Sequence, residues 1–269
     1  MNKNDTLFKT LIVGLVLCLV CSIVISSAAV GLRDQQKALK QQDQQSKILS
    51  SAGLLSDNKS IEEIFLLIEE RVVNLETGDY EDSLDPISFD GKKFESEDYS
   101  KDPLTSILLT SKEDISSLKR RENFIKIYLY KIDNQIEAII LPIRGLGLWG
   151  TLYGYLAIEP DLNTIIGLEY FSHKETPGLG AEVDNPRWKA KWKGKKIFSS
   201  TGEVKIEVVK GLVNLRSEDK GFQVDGISGA TITSRGVTNM LTFWLGEMGY
   251  SKFLDKLKQE INEEDELNV

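Results

Sequence analysis

The stretch IKIYLYKIDNQIEAIILPI, residues 125 to 143, decides the fold class. Two apolar runs rich in β-branched and aromatic residues, Ile125–Ile132 and Gln135–Ile143, flank Asp133-Asn134, a short polar pair. That pattern predicts an antiparallel hairpin closed by a tight turn, although Asp-Asn is a weaker turn pair than Asp-Gly. A second strand pair, Thr151–Glu159 and Thr164–Ser172, flanks Pro160-Asp161, and Val204–Lys210 supplies a further strand. Helices are expected on either side of this run. In Asn58–Glu76, Ser60 is the N-cap and Glu63 its capping-box partner, with Ile61, Ile64, Phe65, Ile68, Val72 and Leu75 on one face. Thr233–Met248 reads as a second amphipathic helix, ending near Gly249. Strands grouped between helices predict an α+β domain. Residues 77–118, acidic and interrupted by Pro86 and Pro103, read as loop and insertion, and Glu260–Val269 reads as a frayed acidic end.

Upstream of this domain, 23 consecutive uncharged residues run from Thr10 to Leu32. As a helix they span roughly 35 Å, enough to cross a bilayer core of about 30 Å. Ser27, Ala28 and Ala29 give a small-x-small look near a cleavage position, but the apolar run is longer than the h-region of a signal peptide, so a retained anchor is expected. Cys18 and Cys21, the two cysteines, lie inside the run and read as packing residues. Arg33–Leu55 is Gln-rich until Ile48, Leu49, Leu54 and Leu55, the pattern of a juxtamembrane helix that docks only at its far end. Lys3 and Lys9 precede the span and Arg33, Lys37 and Lys40 follow it, so the basic flanks do not set the orientation.

The 269 residues carry 33 basic and 41 acidic side chains, a formal charge of −8, which excludes a nucleic-acid backbone as the default partner. One histidine and two cysteines leave little from which to build a zinc, haem or iron-sulfur site, so any redox cofactor should be organic.

Three segments carry candidate chemistry. Gly145, Gly147 and Gly150 spell GxGxxG after a strand, with Glu169 nineteen residues beyond Gly150, but the β-rich run Leu152–Ile158 stands where a dinucleotide site needs a helix. The glycines read instead as a hairpin connection whose small residues let Trp149 and the backbone approach a flat ring. His173–Gly180, HKETPGLG, leaves a strand and turns at Pro177-Gly178 as a type II turn would. No nucleophile elbow accompanies His173. The third segment, Asp225–Ser234, DGISGATITS, places small residues before a helix, where free N–H groups favour a phosphate; a plain cap by Thr233 or Ser234 is the competing reading.

Taken together these segments carry a resemblance. DGISGAT resembles the flavinylation motif of FMN-binding domains, and HKETPGLG is similar to their flavin-contacting loop. GLGLWGTLYGYLAIE and AEVDNPRW resemble the C-subunit family of sodium-translocating NADH:quinone reductases, as do the apolar helix and QQKALKQQDQQSKILSSAGL. The G subunit of Rnf electron-transport complexes shares the HKETPGLG and SGAT elements but is not expected to share LWGTLYG or AEVDNPRW.

The resemblance implies an FMN joined by a phosphoester to the hydroxyl of Thr231, installed by a flavin transferase outside the cytoplasm. Ser228, Gly229 and Ala230 would admit the phosphate, and Asp225 would help present the hydroxyl. Trp149, Tyr153, Glu175, Thr176, Leu179 and Gly180 would surround the isoalloxazine. The implied role is single-electron relay among the subunits of a membrane complex that couples quinone reduction to sodium export. The implied organisation is residues 1–9 in the cytoplasm and 10–32 in the inner membrane. Next come a juxtamembrane helix at 33–55, a periplasmic FMN-binding domain at 56–258 with a variable insertion at 77–123, and an acidic tail at 259–269. The rival from another class is a flavin-free tethered scaffold in which SGAT only caps a helix.

Overall fold

The structure, a computed structural model, describes residues 3–56, 58–89 and 102–267. It divides into two compact units, residues 1–44 and 45–269. The first is helical. It holds α1 (Lys3–Gly31) and most of α2 (Arg33–Ser51). Phe8–Gly31 is long and apolar enough to cross a membrane, with mean hydropathy 2.8 and none of its most apolar stretch buried by protein.

The second unit is built on a five-stranded antiparallel sheet, in the order β1 (Ile68–Asn74), β4 (Phe124–Ile132), β5 (Gln135–Leu146), β6 (Thr151–Ile158) and β7 (Ile165–Ser172). The hairpin at 125–143 forms as expected, with Asp133 at φ 49° and Asn134 at φ 69°, the left-handed pair that a two-residue turn requires. A small ladder, β2 (Ser106–Leu108) with β3 (Arg120–Glu122), lies within the stretch read as insertion, and Leu75 and Leu109 join the main core.

One face of the sheet carries Ile139, Leu141, Ile143, Leu152 and Leu156, and packs against α5 (Thr231–Leu245) through Val237, Met240, Leu241 and Trp244. Buried aromatics place their polar tips on β5 carbonyls: Trp244 Nε1 donates to Arg144 O at 2.7 Å and Tyr250 Oη to Pro142 O at 2.6 Å. The other face carries Tyr128, Ala138, Ile140, Tyr155 and Ala157, and receives Ile48 and Leu49 from the far end of α2. Both are essentially fully buried, worth about 2 kcal/mol each in apolar area removed from water. A Cβ at Gly167 of β7 would stand 2.5 Å from Ser51 O, so glycine is what lets the helix end touch the strand.

Three expectations are corrected. Asn58–Glu76 is not one helix: α3 (Ile61–Phe65) keeps the Ser60/Glu63 capping box, but the chain then turns into β1. Seven backbone pairings with β4, over Ile68 to Asn74, outweigh the helical spacing of the apolar residues. Val204–Lys210 is not one strand: Val204 makes an isolated bridge to Phe198, and Glu207–Val208 forms β8, parallel to β9 (Gln223–Val224). The acidic end is not frayed over its described part, because α6 (Ser251–Leu267) runs through it; Phe253, Leu254 and Leu257 bury its first turns and give the rest a helix to extend.

Candidate functional site

The candidate site is at the N-terminus of α5. The helix starts at Thr231, two residues before the expected boundary, and Ala230 at the N-cap makes no side-chain cap. Both hydroxyls that would have served a plain cap are used elsewhere. Ser234 Oγ accepts the N–H of Ile227 at 3.1 Å, and Thr233 Oγ1 donates to Glu175 Oε2 at 2.6 Å. The opening N–H groups and the positive end of the helix dipole are therefore left for an external anion. Ser228, Gly229, Thr231 and Ile232 are exposed, whereas Ala230 is buried. Gly229 sits at φ +73°, in the region that favours glycine, and a Cβ there would stand 2.9 Å from Leu179 Cδ2.

Beside this helix end stand two loops. Gly147–Gly150 closes the β5–β6 hairpin, with Gly147 N–H bonded to Gly150 O at 2.8 Å, so the GxGxxG letters form a turn and not a nucleotide loop. In the other loop, Leu179 N–H reaches Thr176 O at 3.1 Å with Gly178 at φ +75°, the expected type II turn. Glu175 joins all three segments. Its Oε1 accepts the N–H groups of Leu148 and Trp149, both at 2.9 Å, while Oε2 holds Thr233. Glu175 is 6% exposed, yet Trp149 is 65% and Leu179 44% exposed. Two large apolar side chains thus stand in solvent next to an uncapped helix end, a combination that suits a flat ring carrying a phosphate.

Among the expected site residues, Trp149, Glu175, Thr176, Leu179, Gly180, Ser228, Gly229, Ala230 and Thr231 come together here. Tyr153 does not join them. It alternates with Leu152, shares the sheet face of Tyr155, and packs its ring on Phe171 at 5.9 Å. Asp225 is also committed elsewhere: Oδ1 accepts Val213 N–H at 2.7 Å and Oδ2 pairs with Lys191 at 2.6 Å. Partial burial pushes its pKa up, but Lys191 and the Val213 N–H outweigh this and hold it below the ordinary carboxylate value. Its carboxylate holds the Val213 N–H and the Lys191 ammonium.

Sequence reasoning missed Leu148 and Ile232, exposed apolar residues on the rim, and the role of Thr233 as an acceptor's partner instead of a cap. It also missed the surroundings of His173, whose Nδ1 accepts Glu175 N–H at 3.2 Å while Nε2 lies 3.6 Å from Asp184. Among the described residues no group of three or more His, Cys, Asp or Glu could hold a metal ion.

The FMN-binding domain family model matches residues 147–246, which span the two loops and α5. The C subunit of the Na(+)-translocating NADH-quinone reductase of Pseudomonas aeruginosa is 43% identical over 263 residues, covering 96% of this chain and 99% of that protein. The chain belongs to this C-subunit family. The Vibrio vulnificus member is 46% identical over 259 residues, covering 96% of this chain and 98% of its own. Two solved members have the same fold. The crystal structure of Shewanella oneidensis NqrC matches with a TM-score of 0.73 at 33% identity, covering 82% of this chain and 99% of that one. The Parabacteroides distasonis member matches at 0.62 and 34%, covering 83% and 96%.

Proposed function

We propose that this chain is the C subunit of a Na(+)-translocating NADH-quinone reductase, carrying FMN on Thr231 and relaying single electrons between neighbouring subunits. The observation that carries this reading is the exposed Thr231 hydroxyl on the first residue of an uncapped helix, flanked by exposed Trp149 and Leu179. When bound, FMN supplies the redox chemistry. The protein holds the phosphate at the α5 N-terminus, joined as an ester to Thr231 Oγ1, with Ser228, Gly229 and Ala230 keeping the approach open. Trp149 and Leu179 offer apolar contact to the ring, and Thr176 and Gly180 shape its border.

In this reading a separate flavin transferase makes the ester, α1 anchors the chain in the inner membrane, and the FMN domain lies in the periplasm. The metal-free reading of the sequence and the dedicated rim both fit an organic carrier. A flavin-free scaffold is less well supported, because neither Thr233 nor Ser234 caps the helix as that reading requires.

The test is an intact-mass measurement on the full chain coexpressed with its flavin transferase. A gain equal to one FMN less one water, absent without the transferase, is the expected result. An unmodified mass with transferase present would overturn the assignment.

A further inference from the structure

Among the described residues, Glu175 is the charged group that hydrogen-bonds both loops and the helix of the site. Its carboxylate is buried and accepts from three donors: the N–H groups of Leu148 and Trp149 and the hydroxyl of Thr233. The glycines around it are cut to its shape. A Cβ at Gly147 would stand 2.6 Å from Glu175 Oε1, and one at Gly180 would overlap Oε2 and come within 2.7 Å of Thr233 Oγ1. His173 fixes the backbone from the other side, since its Nδ1 accepts Glu175 N–H. Segments 147–149, 173–180 and 231–233 are far apart in the chain, and this single carboxylate sets their register.

We propose that Glu175 is a positioning residue: through two backbone N–H groups and the Thr233 hydroxyl it aligns Trp149 with the first turn of α5, so that ring and phosphate meet the site at one fixed separation. The three hydrogen bonds it accepts all come from the protein, so its work here is done by reach and not by charge toward the cofactor. Three accepted bonds from a buried position give the arrangement its stiffness. The proposal rests on the flavin reading for its purpose, but its geometry is testable in the flavin-free protein.

Two substitutions separate reach from charge. Glu175→Gln keeps the reach: its carbonyl oxygen still accepts the two N–H groups, and its amide nitrogen donates to the Thr233 hydroxyl. Glu175→Asp keeps the charge and loses one methylene of reach. Trp149 supplies the reporter, because it is 65% exposed while Trp188, Trp192 and Trp244 are at most 6% exposed. Acrylamide quenching and the quenchable component's anisotropy therefore report on the 147–150 turn.

In the full chain carrying Thr231→Ala, Glu175→Gln should leave Trp149 anisotropy at the parent value and Glu175→Asp should lower it, with far-UV dichroism unchanged in both. In chains with Thr231 intact and coexpressed with the transferase, Glu175→Asp should cut flavin loading about tenfold, the factor carried by one lost charge-assisted hydrogen bond. Glu175→Gln should load more fully than Glu175→Asp does. Equal behaviour of the two variants, whether both intact or both impaired, overturns the proposal, as does a damaged Gln variant beside an intact Asp variant. A parent chain that takes no flavin would sink the functional reading alone, because the anisotropy comparison would still decide the role of Glu175.

Discussion

Lys47, one turn before the end of α2, donates to Glu169 on β7 at 3.0 Å, and the same carboxylate oxygen accepts from Lys189 on α4 (Pro186–Lys189). Glu169 is 7% exposed and sits between two ammonium groups. In the letters of the sequence it stands as the acidic residue of a nucleotide fingerprint. In the fold it fastens the last turn of α2, from Lys47 on, to the sheet, beside the glycine contact at 167. Lys189 in turn lies 3.5 Å from Asp184, the neighbour of His173, so the same charges continue toward the candidate site.

Glu169→Ala should destabilise the domain by about 2 to 3 kcal/mol, because removing one partner strands two partly buried ammonium groups. Urea unfolding of the full chain in detergent measures this. Protease nicking around residues 33–47 should also accelerate. A change below about 0.5 kcal/mol would mean that both lysines simply turn to solvent.

Thr231→Ala should abolish covalent flavin and leave stability within about 0.5 kcal/mol, since the residue is exposed and makes no cap. In-gel flavin fluorescence with a thermal melt reads both quantities. Thr231→Ser should retain some label. Fluorescent Ala variant protein would move the ester away from Thr231.

Gly229→Val should lose loading for a reason internal to the protein. At φ +73° a β-branched residue is strained, and its Cβ would press on Leu179 Cδ2 at 2.9 Å, displacing one side of the ring contact. A cost of about 1 to 2 kcal/mol with unchanged far-UV dichroism is expected. A fully loaded Val variant would refute the close-approach argument.

Asp161, in the β6–β7 turn, gives a pH dependence with a definite sign. Partial burial raises its pKa, but the Thr164 hydroxyl, the N–H groups of Asn163 and Thr164, and Lys196 bring it down to about 2. The folded value lies below the unfolded one of 3.8. Its stabilisation is therefore complete above about pH 5 and is lost as the pH falls through about 2. The side chain is 43% exposed, so solvent screening holds the effect to about 1 kcal/mol. The stability gap between parent and Asp161→Asn should close on acidification across that window. A gap that stays constant from neutral pH to acid would show that Asp161 does not titrate with folding.

The central hairpin was legible because its evidence is local: a turn pair able to adopt positive φ and two runs of strand formers. The capping box was legible for the same reason, since the Ser60 hydroxyl and the Glu63 carboxylate each accept the other residue's backbone N–H. The strand after it was not. Ile68, Val72 and Leu75 fit a helical face, and only the edge of β4, about 56 residues on, selects β structure there. At the site, Trp149, Leu179 and Thr231 were visible by type and motif. Glu175 as a latch was not, because its partners are backbone groups and a hydroxyl brought near by the fold. Tyr153 shows the converse limit, for a one-residue step along β6 moves a side chain to the opposite face.

The orientation of the membrane span yields the last prediction. The apolar helix gives length and apolarity but no direction, and three basic residues after the uncharged run Thr10–Leu32 against two before it mildly favour a cytoplasmic domain. The proposed function requires the opposite, because in that reading a transferase acting outside the cytoplasm must reach Thr231. Asp34 and Asp43 temper the basic flank only weakly, so contacts with other subunits would have to fix the helix. Residues beyond Arg33 should resist protease in intact cells and become cleavable once the outer membrane is permeabilised, while the first nine residues stay protected throughout. A reporter fused after Val269 that works only in the cytoplasm should be silent. If it is active, the domain faces inward and the ester at Thr231 cannot be made by that route, whatever the helix end and its rim could hold.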